Sequence, residues 1–292
     1  MFHPSDHDVD LSEEEFRLLR DFIHERFGLY FEESQKGSLR SRLLGRLASL
    51  DLLSFEDYYH YLRFGPQRAD ELERVVSHLT NNETYFFREM AHLQVFADHV
   101  LKSLKERKAR GPDRRLRVLS AGCSTGEEPY SLAMILYDSG HFFWNWDVQV
   151  VGLDVDPLAL EKARRATYFH NSFRSVGPVV VERHFVKQGA GHEVKDGIRR
   201  LVQFRQGNIL ERESYAGLDC FDAVLCRNVL IYFSDAAIRR VVSHFFELLA
   251  PGGFLLLGHA ESLSRITDAF TPIRFKGAMV YQKPEAPQVA AS

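Results

Sequence analysis

Between residues 10 and 80 the apolar positions recur at helical spacing, and no strand-like alternation competes with them. Ser12 with Glu15 three residues on is a capping-box signature, and Phe16, Leu19, Phe22 and Ile23 follow on one face before Gly28. A second helix is predicted over 35–50, with Leu39, Leu43, Leu47 and Leu50 on one face. Ser54 caps a third carrying Tyr58, Tyr61 and Leu62, and a fourth begins near Asp70 and carries Leu72, Val75, Val76 and Leu79. Another helix fits 89–108. The pattern then changes. Leu116–Ala121, Val148–Leu153, a segment around Phe204, Phe221–Cys226 and Gly253–Gly258 read as short apolar strands, with helices from Pro129, from Asp156-Pro157 and around Ile238–Leu249. Alternating strands and helices predict a mainly parallel, doubly wound α/β sheet. Phe270–Phe275 and Ala278–Gln282 around Lys276-Gly277 predict a terminal hairpin that adds an antiparallel strand. The expected organisation is a helical domain over 10–80, a linker and connecting helix over 81–115, and a Rossmann-like domain over 116–283. A strand-rich insertion is expected at about 184–206, with a mobile lead-in over 1–10 and a disordered tail over 284–292.

Composition narrows the class only modestly. Lys plus Arg is 37 and Asp plus Glu is 40, a net charge of −3, so no global basic excess marks a nucleic-acid binder. The longest apolar runs fall short of the about eighteen residues a membrane span needs, and no secretory signal opens the chain. Three cysteines (Cys123, Cys220, Cys226) form no CxxC pair, which points to a reducing compartment, the cytoplasm. Cys123 is expected as a small buried residue rather than a nucleophile. His184 and His192 have no third ligand at a suitable spacing, so no metal is expected. No apolar stripe is left over, so a monomer is expected.

In a doubly wound sheet, ligands sit beyond the carboxyl ends of the strands, where strand order reverses. The first such turn, Gly122-Cys123-Ser124-Thr125-Gly126, lacks the Gly-Lys-Ser/Thr ending of a nucleotide-phosphate loop and the third glycine of a dinucleotide turn. Asp154, at the tip of the second strand, suits both ribose hydroxyls of an adenosine. Glu127 and Glu128 open the next helix, where acids favour capping in any protein. They also suit a cationic methionyl group and repel a pyrophosphate, which favours S-adenosylmethionine over a nicotinamide dinucleotide.

Four segments carry a resemblance: Asn82-Glu83-Thr84-Tyr85-Phe86-Phe87-Arg88-Glu89, Ala121 through Ser131, Cys226-Arg227-Asn228-Val229-Leu230-Ile231-Tyr232-Phe233, and Gly258-His259-Ala260-Glu261-Ser262. Together, in this order, they resemble the CheR family of chemotaxis-receptor methyltransferases over about residues 10–283. The resemblance implies a class I methyltransferase fold. It implies a cytoplasmic, S-adenosylmethionine-dependent protein-glutamate O-methyltransferase that yields S-adenosylhomocysteine and acts on the cytoplasmic helices of chemoreceptors. It places cofactor contacts on Asn82, Thr84, Arg88, Glu128, Asp154, Asn208, Ile209, Arg227 and Asn228, with Arg88 and Tyr232 near the chemistry. The choice between Glu127 and Glu128 is not settled by periodicity; the resemblance favours Glu128. For Phe86 and Phe87, core packing competes with cofactor contact.

Residues 35–50 hold Lys36, Arg40, Arg42 and Arg46 and no acid. This is either a solvated basic face or, as the resemblance implies, a docking surface for an acidic methylation helix centred on Arg40, Arg42 and Arg46. The insertion resembles the β-subdomain that pairs with a receptor-tail pentapeptide in some family members, but its compact Gly189-Ala190-Gly191 turn argues against that tether here. The alternatives are a methyltransferase acting on another protein, RNA or a small molecule, and a non-catalytic signalling module on the same fold.

Overall fold

The computed structural model describes residues 9–142 and 145–285. The expected lead-in and tail lie mostly outside these residues. The chain divides into two compact units, one comprising residues up to Asn81 together with Tyr232–Ser234, the other Asn82–Ile231 with the segment from Asp235 onward.

The first unit holds helices α1 (Glu13–Phe27), α2 (Lys36–Ser49), α3 (Phe55–Phe64) and α4 (Arg68–Leu79). Both halves of the capping box form at the start of α1, and Gly28, at φ 75°, ends it in the left-handed conformation that glycine adopts without strain. The predicted stripes meet in a core of Phe16, Leu19, Ile23, Leu39, Leu43, Leu47, Phe55, Leu62, Val75 and Val76. One charged side chain is buried with them: Glu71 accepts hydrogen bonds from Arg46 Nε (2.9 Å), Arg46 Nη2 (2.6 Å) and Tyr58 Oη (2.7 Å). Leu29 forms a single antiparallel bridge to Phe233 in the returning segment of this unit.

The second unit begins with α5 (Met90–Val95) and α6 (Leu101–Ala109), joined by a widened π turn at Phe96–Val100, so the helix expected at 89–108 is present but interrupted. Phe86, Leu93, Phe96, Val100 and Leu104 pack with the sheet, so the predicted connecting segment belongs to this unit. The remaining elements, in chain order, are β1 (Arg115–Ala121), α7 (Glu127–Ser139), β2 (Asp147–Asp154), α8 (Pro157–Arg165), β3 (Thr167–Tyr168), α9 (Pro178–His184), β4 (Phe185–Gln188), β5 (Gly191–Val194), α10 (Asp196–Arg199), β6 (Val202–Gln206), β7 (Phe221–Cys226), α11 (Asp235–Leu248), β8 (Leu249–Leu257), β9 (Thr271–Phe275) and β10 (Ala278–Gln282).

The seven-stranded sheet has the order β6-β2-β1-β7-β8-β10-β9. Its first five strands are parallel, with Val118 opposite Val150 on one side and Ala223 on the other; β10 runs antiparallel between β8 and β9. Every residue of β7 is buried, as expected of a central parallel strand. Strand order reverses between β1 and β7, which is the crevice where a doubly wound sheet takes its ligand.

Two sequence expectations are corrected. The strand-rich insertion does not run to 206. Asp196–Arg199 turns as a helix, and Val202–Gln206 is the edge strand of the large sheet, paired with β2. The small sheet is instead β3-β5-β4, completed by Thr167–Tyr168 from upstream. Likewise α7 starts at Glu127 rather than Pro129. Gly126 at φ 93° caps it, and Pro129 falls inside the first turn, where its missing N–H is not needed.

Candidate active site

The turn after β1 is bound to the end of β2. Gly122 N–H (2.8 Å) and Cys123 N–H (3.1 Å) donate to Leu153 O, and Ser124 N–H donates to Asp154 Oδ2 (2.6 Å). The other Asp154 oxygen accepts Asp156 N–H (2.9 Å). Asp156 caps α8 through Leu158 N–H and Ala159 N–H and accepts Asn82 Nδ2 (2.7 Å), while Ser124 Oγ donates to Asn82 Oδ1 (3.1 Å). Asn82 and Asp154 thus share one network. Burial pushes the Asp154 carboxyl up to about 6, against the downward pull of the Asp156 and Ser124 N–H bonds. The Val155 N–H also bears on this carboxylate, so the acceptor capacity left for a ribose hydroxyl is limited to what these N–H groups do not take.

Gly126 is a tight point of this turn. A Cβ there would lie 2.8 Å from Ala163 Cβ and 3.0 Å from both Phe204 Cζ and Tyr168 Oη, at φ +93°. Gly126→Ala is expected to cost about 2 kcal/mol or more, from left-handed strain plus overpacking. Chemical denaturation of the two proteins checks this; equal midpoints would contradict it.

The two acids after the turn diverge. Glu127 is buried and accepts Thr125 Oγ1 (2.7 Å) and Ser172 Oγ (2.9 Å), and burial raises its pKa. Glu128 accepts Ser120 Oγ (2.7 Å) and pairs with Arg227 Nη1 at 2.8 Å. Arg227 also donates to Arg88 O (2.6 Å) and to Glu89 Oε2 (3.2 Å). Its Nε is buried with no hydrogen-bond partner among the described residues. Asn228, at φ 59°, donates through Nδ2 to Glu89 Oε1 (2.9 Å). Glu261 holds the same loop by accepting the N–H groups of Gly258 (2.6 Å), Asn228 (3.0 Å), Val229 (2.9 Å) and Leu230 (2.8 Å).

Arg88 is half-buried, donates to Glu83 O and lies 5.9 Å from the Tyr85 ring centroid. Thr84 is half-buried beside it. Phe86 is fully buried and stacks on Phe173 at 5.4 Å, so it packs in the core; Phe87 is half-buried and donates its N–H to Ser131 Oγ (3.0 Å). Beyond β6, Asn208 Oδ1 accepts Leu210 N–H (3.0 Å), and buried Ile209 presents its carbonyl to Tyr215 Oη (2.8 Å). Tyr232 groups with the helical unit, where its hydroxyl accepts Asn81 Nδ2 (3.1 Å). Cys123 is buried, and burial pushes its thiol well above the ordinary range, which removes it as a nucleophile. His184 is also buried, against Asp138 at 3.0 Å.

Glu89 and Glu261 were not singled out from the sequence. Both lie inside the quoted motifs, but only the folded loops show that their carboxylates tie separate segments together. On α2, Arg46 is turned onto Glu71 and Arg40 Nε donates to Val9 O (2.8 Å). Arg42 donates to His78 O and Leu79 O at the end of α4. The basic segment is therefore less free than its sequence suggests, and Arg46 least of all.

The donor set fits S-adenosylmethionine. The buried acceptor Asp154 suits ribose hydroxyls, the acid Glu128 suits a cation, and the unpaired Arg227 Nε suits a carboxylate. The comparisons with known proteins agree. The family profile described as CheR methyltransferase, SAM binding domain, matches residues 82–278, and the CheR methyltransferase, all-alpha domain, matches 14–80. Chemotaxis protein methyltransferase 2 of Vibrio cholerae is 34% identical over 278 residues, 95% of this chain and 95% of its own length. The chemotaxis protein methyltransferase of Escherichia coli K12 is 35% identical over 276 residues, 93% of this chain and 91% of its own. That of Salmonella typhimurium is 34% identical over 276 residues, 93% and 90% respectively.

Proposed function

Because this chain belongs to the CheR methyltransferase family, we propose that it transfers a methyl group from S-adenosylmethionine to glutamate side chains on the cytoplasmic helices of chemoreceptors, giving glutamyl methyl esters and S-adenosylhomocysteine. The observation that carries the reading is the arrangement at the switch point. Asp154 stands at the end of β2, and Glu128, Arg227 and Asn228 are joined beyond β1 and β7. The bound cofactor supplies an electrophilic methyl carbon on a positively charged sulfur.

The protein's part is positioning. A substrate glutamate, with a reference pKa of about 4.3, is already ionised near neutral pH, so no side chain has to take a proton. Asp154 would hold the ribose, and Asn208 and Ile209 would flank the adenine. Asn82, Thr84, Arg88, Glu128, Arg227 and Asn228 would hold the methionyl end. Holding nucleophile, carbon and sulfur in line is worth several orders of magnitude in rate. Arg88 orients cofactor or substrate carboxylate, and Tyr232 donates a hydrogen bond near the reacting centre. Tyr232→Phe is expected to slow transfer while cofactor binding persists, and Arg88→Ala to slow transfer and weaken cofactor binding; wild-type turnover in both would remove these residues from the mechanism.

Docking of an acidic receptor helix falls to the basic face of α2, through Lys36, Arg40 and Arg42, with Arg46 supporting it from inside. Such a contact weakens with salt. Arg40→Glu combined with Arg42→Glu is expected to reduce receptor methylation about tenfold at low ionic strength and to remove its salt dependence. Rates that keep the wild-type salt profile would contradict docking there. The direct test is incubation with labelled S-adenosylmethionine and receptor-enriched membranes. Alkali-labile label on the receptor band is expected; label on RNA, or on nothing, would overturn the reading.

A further inference from the structure

Glu89 lies between segments that are far apart in sequence. Phe87 and Glu89, on either side of Arg88, both hold positive φ (58° and 52°), a conformation that costs a non-glycine residue about 1–3 kcal/mol. Asn228 also holds positive φ, 59°, although asparagine tolerates it better. Phe87 N–H is held by Ser131 Oγ and the Asn228 loop by Glu261, while the Glu89 carboxylate ties the side chains of the converging segments together. Oε1 accepts Asn228 Nδ2 (2.9 Å) and His259 Nδ1 (2.6 Å), while Oε2 faces Arg227 Nη2 (3.2 Å), His92 Nδ1 (3.4 Å) and His259 N–H (3.4 Å). Burial opposes ionisation, but the Asn228 and His259 hydrogen bonds and the charge of Arg227 outweigh it and hold Glu89 down at about 2. His92 is shifted downward by burial and by Arg227.

An ionised carboxylate only accepts hydrogen bonds. It therefore dictates which end of the Asn228 amide faces it: the NH2 points to Glu89, and Oδ1 is left as the acceptor. A neutral partner able both to donate and to accept would permit either orientation. We propose that Glu89 is a positioning residue that acts through Asn228, fixing the amide so that its oxygen is offered to the cationic methionyl end of S-adenosylmethionine. Glu89 itself, with its carboxylate occupied by the chain's own donors, does not contact the cofactor.

This inference rests on the cofactor reading above, and calorimetric binding of S-adenosylmethionine to the full chain separates the two. A wild-type protein that does not bind would overturn that reading. With wild-type binding in place, Glu89→Gln is expected to raise Kd about tenfold with little change in thermal midpoint. In an Asn228→Ala background the same substitution should change Kd by less than about twofold, because the group it orients is gone. A merely structural Glu89 would instead lower the midpoint and weaken binding equally in both backgrounds. Glu89→Asp keeps a group that can only accept and should bind within about threefold of wild type. Unchanged binding by Glu89→Gln, equal losses in both backgrounds, or a loss as large in the aspartate variant would each overturn the inference.

Discussion

Asp154→Asn is expected to weaken S-adenosylmethionine binding about 100-fold, through the loss of charge-assisted hydrogen bonds worth about 1.5–3 kcal/mol each. The carboxylate receives Ser124 N–H and Asp156 N–H on separate oxygens. An amide offers one oxygen, so its NH2 must confront one of those donors while the ribose loses an anionic partner. The pH dependence follows from the same group. Its folded pKa, pushed up to about 6 first of all by burial, lies above the ordinary carboxylate range. The protonated form therefore favours folding; that contribution is full below the ordinary range and is lost as pH rises through about 6. Cofactor binding, which needs the ionised form, runs the other way. Affinity should fall as pH drops through about 6, approaching tenfold per unit well below it, and Asp154→Asn should flatten the curve. Calorimetric titration across that range checks both; a flat wild-type profile would contradict the assignment.

Arg46→Ala carries the largest expected effect on stability. Glu71 is 1% exposed and receives both Arg46 nitrogens and the Tyr58 hydroxyl. Removing the guanidinium leaves a buried carboxylate without its cation, which typically costs about 3–5 kcal/mol. Replacing both partners together, as Arg46→Met with Glu71→Gln, should recover most of the loss, because the neutral amide still accepts from Tyr58. Urea unfolding of the three proteins checks this, and a single-mutant loss below about 0.5 kcal/mol would mean the pair is solvated like a surface ion pair. The same geometry disqualifies charge reversal at Arg46 as a docking test, since it would unfold the helices that carry the surface.

These two residues show where the sequence could be read and where it could not. Asp154 was legible because its position is local: an acid at the tip of an apolar strand, following a glycine turn. The Ser12–Glu15 cap and the order of helices and strands were legible for the same reason. Arg46 was not. As one of four basic residues on an acid-free helix it reads as surface, and its partner Glu71 comes from another helix, which periodicity along α2 does not report. The run from Ile198 to Phe204 misled in a similar way. Its apolar content suits a strand throughout, yet only pairing with β2 decides that the strand begins at Val202. Glu89 lies within a legible motif, but its role exists only where the turns bearing Arg88, Asn228 and His259 converge.

The central claim is that this chain esterifies receptor glutamates, and mass spectrometry of the product tests it most directly. Purified protein, S-adenosylmethionine and receptor cytoplasmic fragments should yield receptor peptides heavier by one methylene. Fragmentation should place the added mass on glutamate side chains, mild alkali should remove it, and Asp154→Asn should greatly slow its appearance. Unmodified receptor peptides, with wild-type protein that binds the cofactor, or a methyl group on another residue type, would contradict the account.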